Sequence, residues 1–315
     1  MALKVFQPIP WLDPLLSTPG HRGRASPSRP ASRRSQPLRR MKRLGAAEPA
    51  YGEGMDFAGS VPANYDRYLG PLLFQPFARD LASRLADRSP SRVLELAAGT
   101  GIVTAEVARA LPDAVIVATD LSQAMLDVAA ARRETAGVRF EAVDAQNLPF
   151  GDDSFDAVCC QFGVMFLPDK ARAYAEMRRV LRPGGGLLFN VWERIEDSPI
   201  AATVEAALQN CFPDDPPQFL SRVPHGYHDA TAIRDAVRAA AFGEVDVVTV
   251  SLPSVSPSAG DAAIGFCQGT PIRHEIVSRG GDLAAVTESV RAALTDKFGT
   301  GEVRADMAAL VVTAC

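Results

Sequence analysis

Three acidic residues stand at or near the ends of apolar runs: Glu95 in VLEL (93–96), Asp120 closing AVIVATD (114–120) and Asp144 closing VRFEAVD (138–144). The first run continues into Ala97-Ala98-Gly99-Thr100-Gly101 and then a second apolar pattern. A strand that turns over glycines into a helix gathers backbone N–H groups at the helix N-terminus, which suits a nucleotide-like ligand. Ionised carboxylates beside that turn act only as acceptors, which suits ribose hydroxyls and amino groups. Measured against the dinucleotide fingerprint G-x-G-x-x-G, Gly99 and Gly101 match and Thr104 stands in the third place. A dinucleotide and a ligand without pyrophosphate therefore both remain open.

The elements that would position these acids alternate along the chain. Strand 92–97 leads into helix 102–111, and strand 114–120 into helix 121–134 with Ser122 as its cap. Strand 138–144 is followed by the loop AQNLPFGDDS, then strand 155–162 and an amphipathic helix from Pro168 to Leu181. Arg182-Pro183-Gly184-Gly185-Gly186 stops that helix before a fifth strand, 187–192. A helix over 71–86, begun by Pro71, precedes the set. Beyond Trp192 the pattern predicts helix 198–212, a proline-rich loop 214–229, helix 230–242, strand 245–252, a largely helical stretch 257–298 and a last strand 307–314. Such alternation makes βαβ units and a parallel sheet, with ligands at the carboxyl ends of its strands.

Four stretches, VLELAAGTG (93–101), ATDLSQAML (118–126), AVDAQNLPFGDDSFDAV (142–158) and RRVLRPGGGLLFNVW (178–192), carry a resemblance in order and spacing. They resemble the motifs of class I S-adenosylmethionine-dependent methyltransferases, in the branch that looks like ubiquinone/menaquinone-biosynthesis enzymes with a type 11 methyltransferase domain. The resemblance covers roughly residues 60–192. It implies an α/β fold: a doubly wound, seven-stranded, mostly parallel Rossmann-like sheet with an antiparallel last strand and helical insertions. It divides the chain into a helical cap segment (51–90), a cofactor-binding core (91–192) and a C-terminal part of the same domain with substrate-side insertions (193–315). The implied cofactor is S-adenosyl-L-methionine and the implied setting cytoplasmic.

Residue by residue, the resemblance places Glu95 near the amino group of the methionine part. Ala97, Gly99 and Gly101 let the backbone approach the ligand. The family's usual first glycine is Ala97 here, an alanine small enough to leave room. Asp120 would accept from both ribose hydroxyls, Leu121 and Met125 flank the adenine, and Asp144 accepts from its amino group with the Ala145 backbone beside it. Gln161 lies near the methionine portion. In VPANYDRYLGPLLF (61–74), Tyr65 and Tyr68 are candidates to cover the methionine end, and packing of the helix is their plain alternative.

Methyl transfer from a sulfonium needs alignment and exclusion of water rather than a fixed catalytic group. The acceptor would be a small molecule: a quinone precursor, a lipid or another metabolite. The stretches 193–229 and 253–300 are expected to shape its pocket. His225, Tyr227 and His228 cluster in one loop, with His228 the candidate base and His274 a weaker one. Phe212, Phe219 and Phe266 point to a partly apolar acceptor, with a place in the core as their equal alternative. Asp215-Pro216-Pro217-Gln218 resembles an amino-directed nucleic-acid methyltransferase motif but lies away from the fourth strand and lacks the aromatic residue. An NAD-dependent oxidoreductase and a non-catalytic S-adenosylmethionine-binding module are the alternatives.

The first 45 residues hold 10 of the 33 Lys and Arg but one acid, Asp13, so the rest of the chain is strongly acidic and disfavours nucleic acid. The segment 1–50 reads as a basic, disordered extension; a transit peptide, upstream translation and a nucleic-acid arm are its other readings. No apolar run approaches the ~20 residues that cross a bilayer. Cys159, Cys160, Cys211, Cys267 and Cys315 have no metal-ligand spacing, and the adjacent Cys159 and Cys160 read as buried small hydrophobes.

Overall fold

A computed structural model describes residues 61–315. The expected basic extension over 1–50 and residues 51–60 of the expected cap segment lie outside the described residues. The described chain enters through one helical run: α1 (Val61–Asn64), a π-wound segment (Tyr65–Phe74) and α2 (Gln75–Ala86). The run thus begins at Val61, not at Pro71, which sits inside the π segment. Proline has no N–H to give, and wider i→i+5 winding, seen in the Gln75 N–H donating to the Gly70 carbonyl, carries the chain past it.

Next come β1 (Arg92–Leu96), α3 (Ile102–Ala110), β2 (Val115–Asp120), α4 (Gln123–Ala130) and β3 (Arg139–Ala142). They are followed by β4 (Phe155–Gln161), α5 (Lys170–Val180) and β5 (Leu181–Trp192). The Ser122 hydroxyl caps α4 by accepting from the Met125 N–H, as expected, and Asp169 caps α5 through the Arg172 N–H. Then follow α6 (Pro199–Cys211), α7 (Phe219–Arg222), α8 (Ala230–Ala239), β6 (Val245–Ser256), α9 (Ala259–Gln268), α10 (Ile272–Ser278), α11 (Leu283–Phe298) and β7 (Val303–Ala314).

The seven strands form one sheet in the order β3-β2-β1-β4-β5-β7-β6. The pairs from β3 to β5 are parallel, and β7 runs antiparallel between β5 and β6. This is the expected doubly wound sheet with an antiparallel last strand. Strand order reverses between β1 and β4, where the carboxyl ends of adjacent strands part and open a crevice. Burial follows: Phe155 to Cys160 of β4 are buried without alternation, as strands covered on both faces must be.

One boundary differs from the sequence pattern. Arg182 to Gly186 stops α5 as expected, yet β5 already starts at Leu181. Leu181 pairs with Phe155, the register then slips so that Gly186 pairs with Ala157, and 182–185 bulge out. The Arg182 guanidinium meets the buried Asp156 carboxylate at 2.6 Å. That carboxylate also accepts from the Ser91 and Arg92 N–H groups, tying the bulge to the start of β1. Among the described residues, no helix is long and apolar enough to cross a membrane, and no cluster of His, Cys, Asp and Glu is arranged to hold a metal.

Candidate active site

The crevice between β1 and β4 gathers most of the acids and glycines singled out above. Ala97, Gly99 and Gly101 all take positive φ, at 52°, 55° and 79°. Three left-handed residues in five turn β1 sharply into α3. The two glycines hold the geometry for different reasons. A Cβ on Gly101 would come within 2.8 Å of the Ala129 side chain of α4, so this glycine serves packing. A Cβ on Gly99 would meet nothing within 4 Å, so its bare backbone faces open space. Ala97 pays for its methyl with strain, and that methyl lies where a Cβ on Gly163 would be, 2.4 Å away.

Asp120 is fixed by two donors: Oδ2 accepts from the Gly99 N–H at 2.9 Å and Oδ1 from the Ser122 N–H at 2.8 Å. Burial raises its carboxyl and those backbone N–H groups oppose the rise. Leu121 follows it, half-buried, and Met125 is buried on α4. Asp144 lies just past β3 and accepts from the Gln146 N–H at 2.9 Å, with the half-buried Ala145 between. The Val143 N–H donates to the Asp120 carbonyl, which holds the two acids on adjoining strand ends.

Glu95 is buried beneath the loop with Oε2 lacking a protein partner. Burial pushes its carboxyl up to about 8; Thr104 on the first turn of α3 works against that shift and the Asp120 charge adds to it. Gln161, at the end of β4, donates from Nε2 to the Phe74 carbonyl and leaves a buried Oε1 without a protein partner. Two buried side-chain oxygens therefore end at the same crevice without a protein partner, an arrangement that asks for polar groups from a ligand.

Arg132, just past the end of α4, bonds to the helical run across the crevice. Its Nε donates to the Thr100 carbonyl at 2.5 Å and its terminal nitrogen pairs with Asp66 of the π segment. Tyr65 is half-buried there; desolvation drives its phenol up, and Asp120 and Asp66 both add to the shift. It stacks on Phe74 at 4.7 Å. Tyr68 is placed elsewhere: its Cβ abuts Gly265 of α9 and its ring carries the Arg67 guanidinium at 5.1 Å. Of the two tyrosines, Tyr65 is the one brought to Asp120.

Tyr65 helps to wall a cavity of about 70 Å³, with Phe74, Phe162, Phe166, Trp192, Phe219 and His225 among its other lining residues. Phe162 and Trp192 stack face to face at 3.6 Å. Among the described residues, no carboxylate lines it. Phe219 and Phe266 are in its wall as the sequence led us to expect; Phe212 instead packs on Gly281. His225 is buried in the wall, its Nδ1 2.7 Å from the Glu193 carbonyl. His228 is not among the lining residues and bonds through Nδ1 to the His225 carbonyl at 2.7 Å. His274 lines a separate polar cleft with the Asp215-Pro216 stretch. Sequence reading had no signal for the Phe162–Trp192 stack or for Gly163, because contacts between strand ends leave no local period. Cys159 and Cys160 are buried in β4, and burial pushes the Cys160 thiol up to about 12, so both behave as small apolar groups.

Comparisons with known proteins bear on this site. Residues 93–185 match a family model described as a methyltransferase domain. The chain is 30% identical over 177 residues to the "Ubiquinone/menaquinone biosynthesis C-methyltransferase UbiE" of Idiomarina loihiensis, covering 50% of this chain and 69% of that one. The chain belongs to the class I methyltransferases of this branch. It is 40% identical over 138 residues to a "Demethylmenaquinone methyltransferase" of Deinococcus radiodurans, covering 41% of this chain and 56% of that relative. The matches thus span roughly half the length of the curated relatives. The methyltransferase fold also superposes on the YcgJ protein of Bacillus subtilis with a TM-score of 0.50, at 21% identity, over 76% of this chain and 97% of that one. The crevice fits the family's S-adenosylmethionine: an open glycine backbone, a fixed carboxylate and two buried side-chain oxygens without protein partners.

Proposed function

We propose that the chain transfers the methyl group of S-adenosylmethionine to a small, largely apolar acceptor. One observation carries this reading. Tyr65 belongs both to the carboxylate-lined crevice, through Asp120, and to the aromatic cavity beside it. A polar cradle and an apolar pocket that share a wall suit a polar donor and an apolar acceptor meeting at that wall.

In this reading Asp120 accepts from the two ribose hydroxyls with the lone pairs that Gly99 and Ser122 leave free. Asp144 and Ala145 receive the adenine amino edge, Leu121 and Met125 flank the ring, and Gly99 lets the backbone close on the ligand. Glu95 and Gln161 take the methionine part with their unpartnered oxygens. The bound sulfonium supplies an activated methyl group. The chain supplies alignment and dryness: Tyr65, Phe162 and Trp192 hold the acceptor flat and keep water out. The demethylmenaquinone and ubiquinone/menaquinone methyltransferases among the relatives support a quinone precursor as the acceptor class, and the flat aromatic wall suits a ring system.

Calorimetry of the full chain with S-adenosylhomocysteine tests the cradle. Binding is expected, with its loss in Asp120→Ala; no binding by the wild type ends the proposal. Methyl-labelled S-adenosylmethionine offered with hydroquinones, phenols and fatty acids tests turnover. Binding without any turnover leaves a cofactor-binding module and not an enzyme.

A further inference from the structure

The aromatic cavity is small for the acceptor proposed for it. Its 70 Å³ compares with the ~150 Å³ of a dry apolar cavity that takes up benzene. A ring system therefore needs a wall that gives way. Much of the wall is anchored in large elements, with Phe162 and Trp192 at the ends of β4 and β5 and Phe266 inside α9. The helix α7 differs. It has four residues, and two of them, Phe219 and Leu220, line the cavity. The N–H groups of Arg222, Val223 and His225 donate to the carbonyls of Gln218, Phe219 and Leu220, so the segment is bonded to itself and can move as one body. Phe219 also lines the polar cleft, a space of about 490 Å³, and among the described residues it alone borders both.

Two carboxylates tie α7 to its neighbours. Glu275 of α10 grips both ends: Oε2 accepts from the Gln218 N–H at 3.0 Å and Oε1 from the Arg222 guanidinium at 2.6 Å. Glu205 of α6 accepts from the Ser221 N–H at 2.9 Å. The two ties differ in what can replace them. Gln218 and Arg222 are exposed, so water can take over the bonds to Glu275 at little net cost. Glu205 is buried, and breaking its bond would strand a charge.

From this geometry we infer that α7 is the door by which the acceptor enters from the polar cleft, and that Glu275 is the positioning residue that holds it shut. With Glu275 released, α7 tips about the Ser221–Glu205 bond, and Phe219 swings aside to join the two spaces. With Glu275 engaged, Phe219 and Leu220 seal the wall against water. The inference rests on the methyl-transfer reading only for what passes through the door. The door itself is read from the two spaces and the grip between them.

The test uses the full chain with Trp11→Phe. Trp11 and Trp192 are its two tryptophans, so the change leaves the one in the cavity wall as sole reporter. The probes are acrylamide, which quenches tryptophan on contact, and N-phenyl-1-naphthylamine, an uncharged dye too large for the closed cavity. A ligand that needs the open form binds in proportion to the fraction open. Glu275→Ala raises that fraction. We expect the dye to bind about tenfold more tightly, the factor that loss of one charged hydrogen bond allows, and acrylamide to quench Trp192 about threefold more strongly. A merely structural Glu275 predicts the opposite sign, since a loosened wall holds the dye less well. Weaker or unchanged dye binding overturns the inference, as does unchanged quenching. Arg222→Ala removes one of the two bonds and should move both readouts the same way by a smaller factor; it decides alone if Glu275→Ala does not fold. S-adenosylhomocysteine should bind the variants like the wild type. Its failure to bind the wild type removes the methyl-transfer reading but not the door, whose two readouts use no cofactor.

Discussion

Glu95 is a residue whose charge state the proposed ligand would change. Its carboxyl, raised to about 8, is protonated in the empty protein at pH 7. An ammonium docked on it restores the charged form. Binding of S-adenosylhomocysteine at pH 7 is therefore expected to release close to one proton. Calorimetry in buffers of differing ionisation heat reads that number, and Glu95→Gln should abolish it. The same shift sets a stability trend. An acid whose folded value lies above its unfolded one binds more protons when folded, so stability falls as pH rises from about 4.5 to about 8. Glu95→Gln should flatten that fall in urea titrations across the window. A second residue-scale expectation concerns Ala97 and Gly163. Gly163→Ala drives a methyl into Ala97 and the Cys160 sulfur and should cost about 1–3 kcal/mol. Ala97→Gly removes both the opposing methyl and an alanine at positive φ, so the double variant should recover part of that loss; strictly additive unfolding energies would refute the contact. The acids were legible in the sequence because they end apolar runs. His225 was not separable from His228 there, because a loop has no period to say which imidazole turns inward.

At the scale of elements, the sequence was informative wherever a period persisted. All seven strands lay near their predicted positions, and β1, β2 and β4 within a residue or two at each end. It was uninformative where the winding or the pairing changed. The π segment alters the phase between Tyr65 and Tyr68, so 3.6-residue reasoning cannot tell which of them reaches Asp120. The bulge at 182–185 hides the start of β5 behind residues that otherwise signal a turn. One cation also ties the π segment to the glycine turn. Arg132 joins the Thr100 carbonyl to Asp66, and so couples the helical run to the glycine turn. Arg132→Ala should weaken S-adenosylhomocysteine binding by about tenfold, in line with the loss of a charged hydrogen bond. Hydrogen exchange over 61–74 should quicken in the same variant while the core strands β1 and β4 stay protected. Unchanged exchange in that segment would show that packing on α9, where Gly265 admits Leu69, holds it without the arginine.

For the whole molecule, the sheet was readable as a class from its alternation, but not its strand order beyond β5, since antiparallel pairing between distant segments leaves no trace in either one. That pairing carries much of the integrity of the fold. Val311 of β7 is buried and stands opposite Asn190 of β5 and Val248 of β6. Val311→Asp places a carboxyl between them and should abolish cooperative urea unfolding, whereas the same change at exposed Val115, at the start of β2, should leave the midpoint nearly where it was. The order β5-β7-β6 also has a consequence for how the protein is made. While the chain emerges from a ribosome, β5 and β6 are both complete before their shared neighbour exists, with α9, α10 and α11 still to come between. During that interval each offers an open, strand-ready edge, and the wall residue Trp192 has no Ala309 opposite it. The aromatic cavity is thus among the last features to close, and a newborn chain is most exposed to wrong partners at the place proposed here for its acceptor.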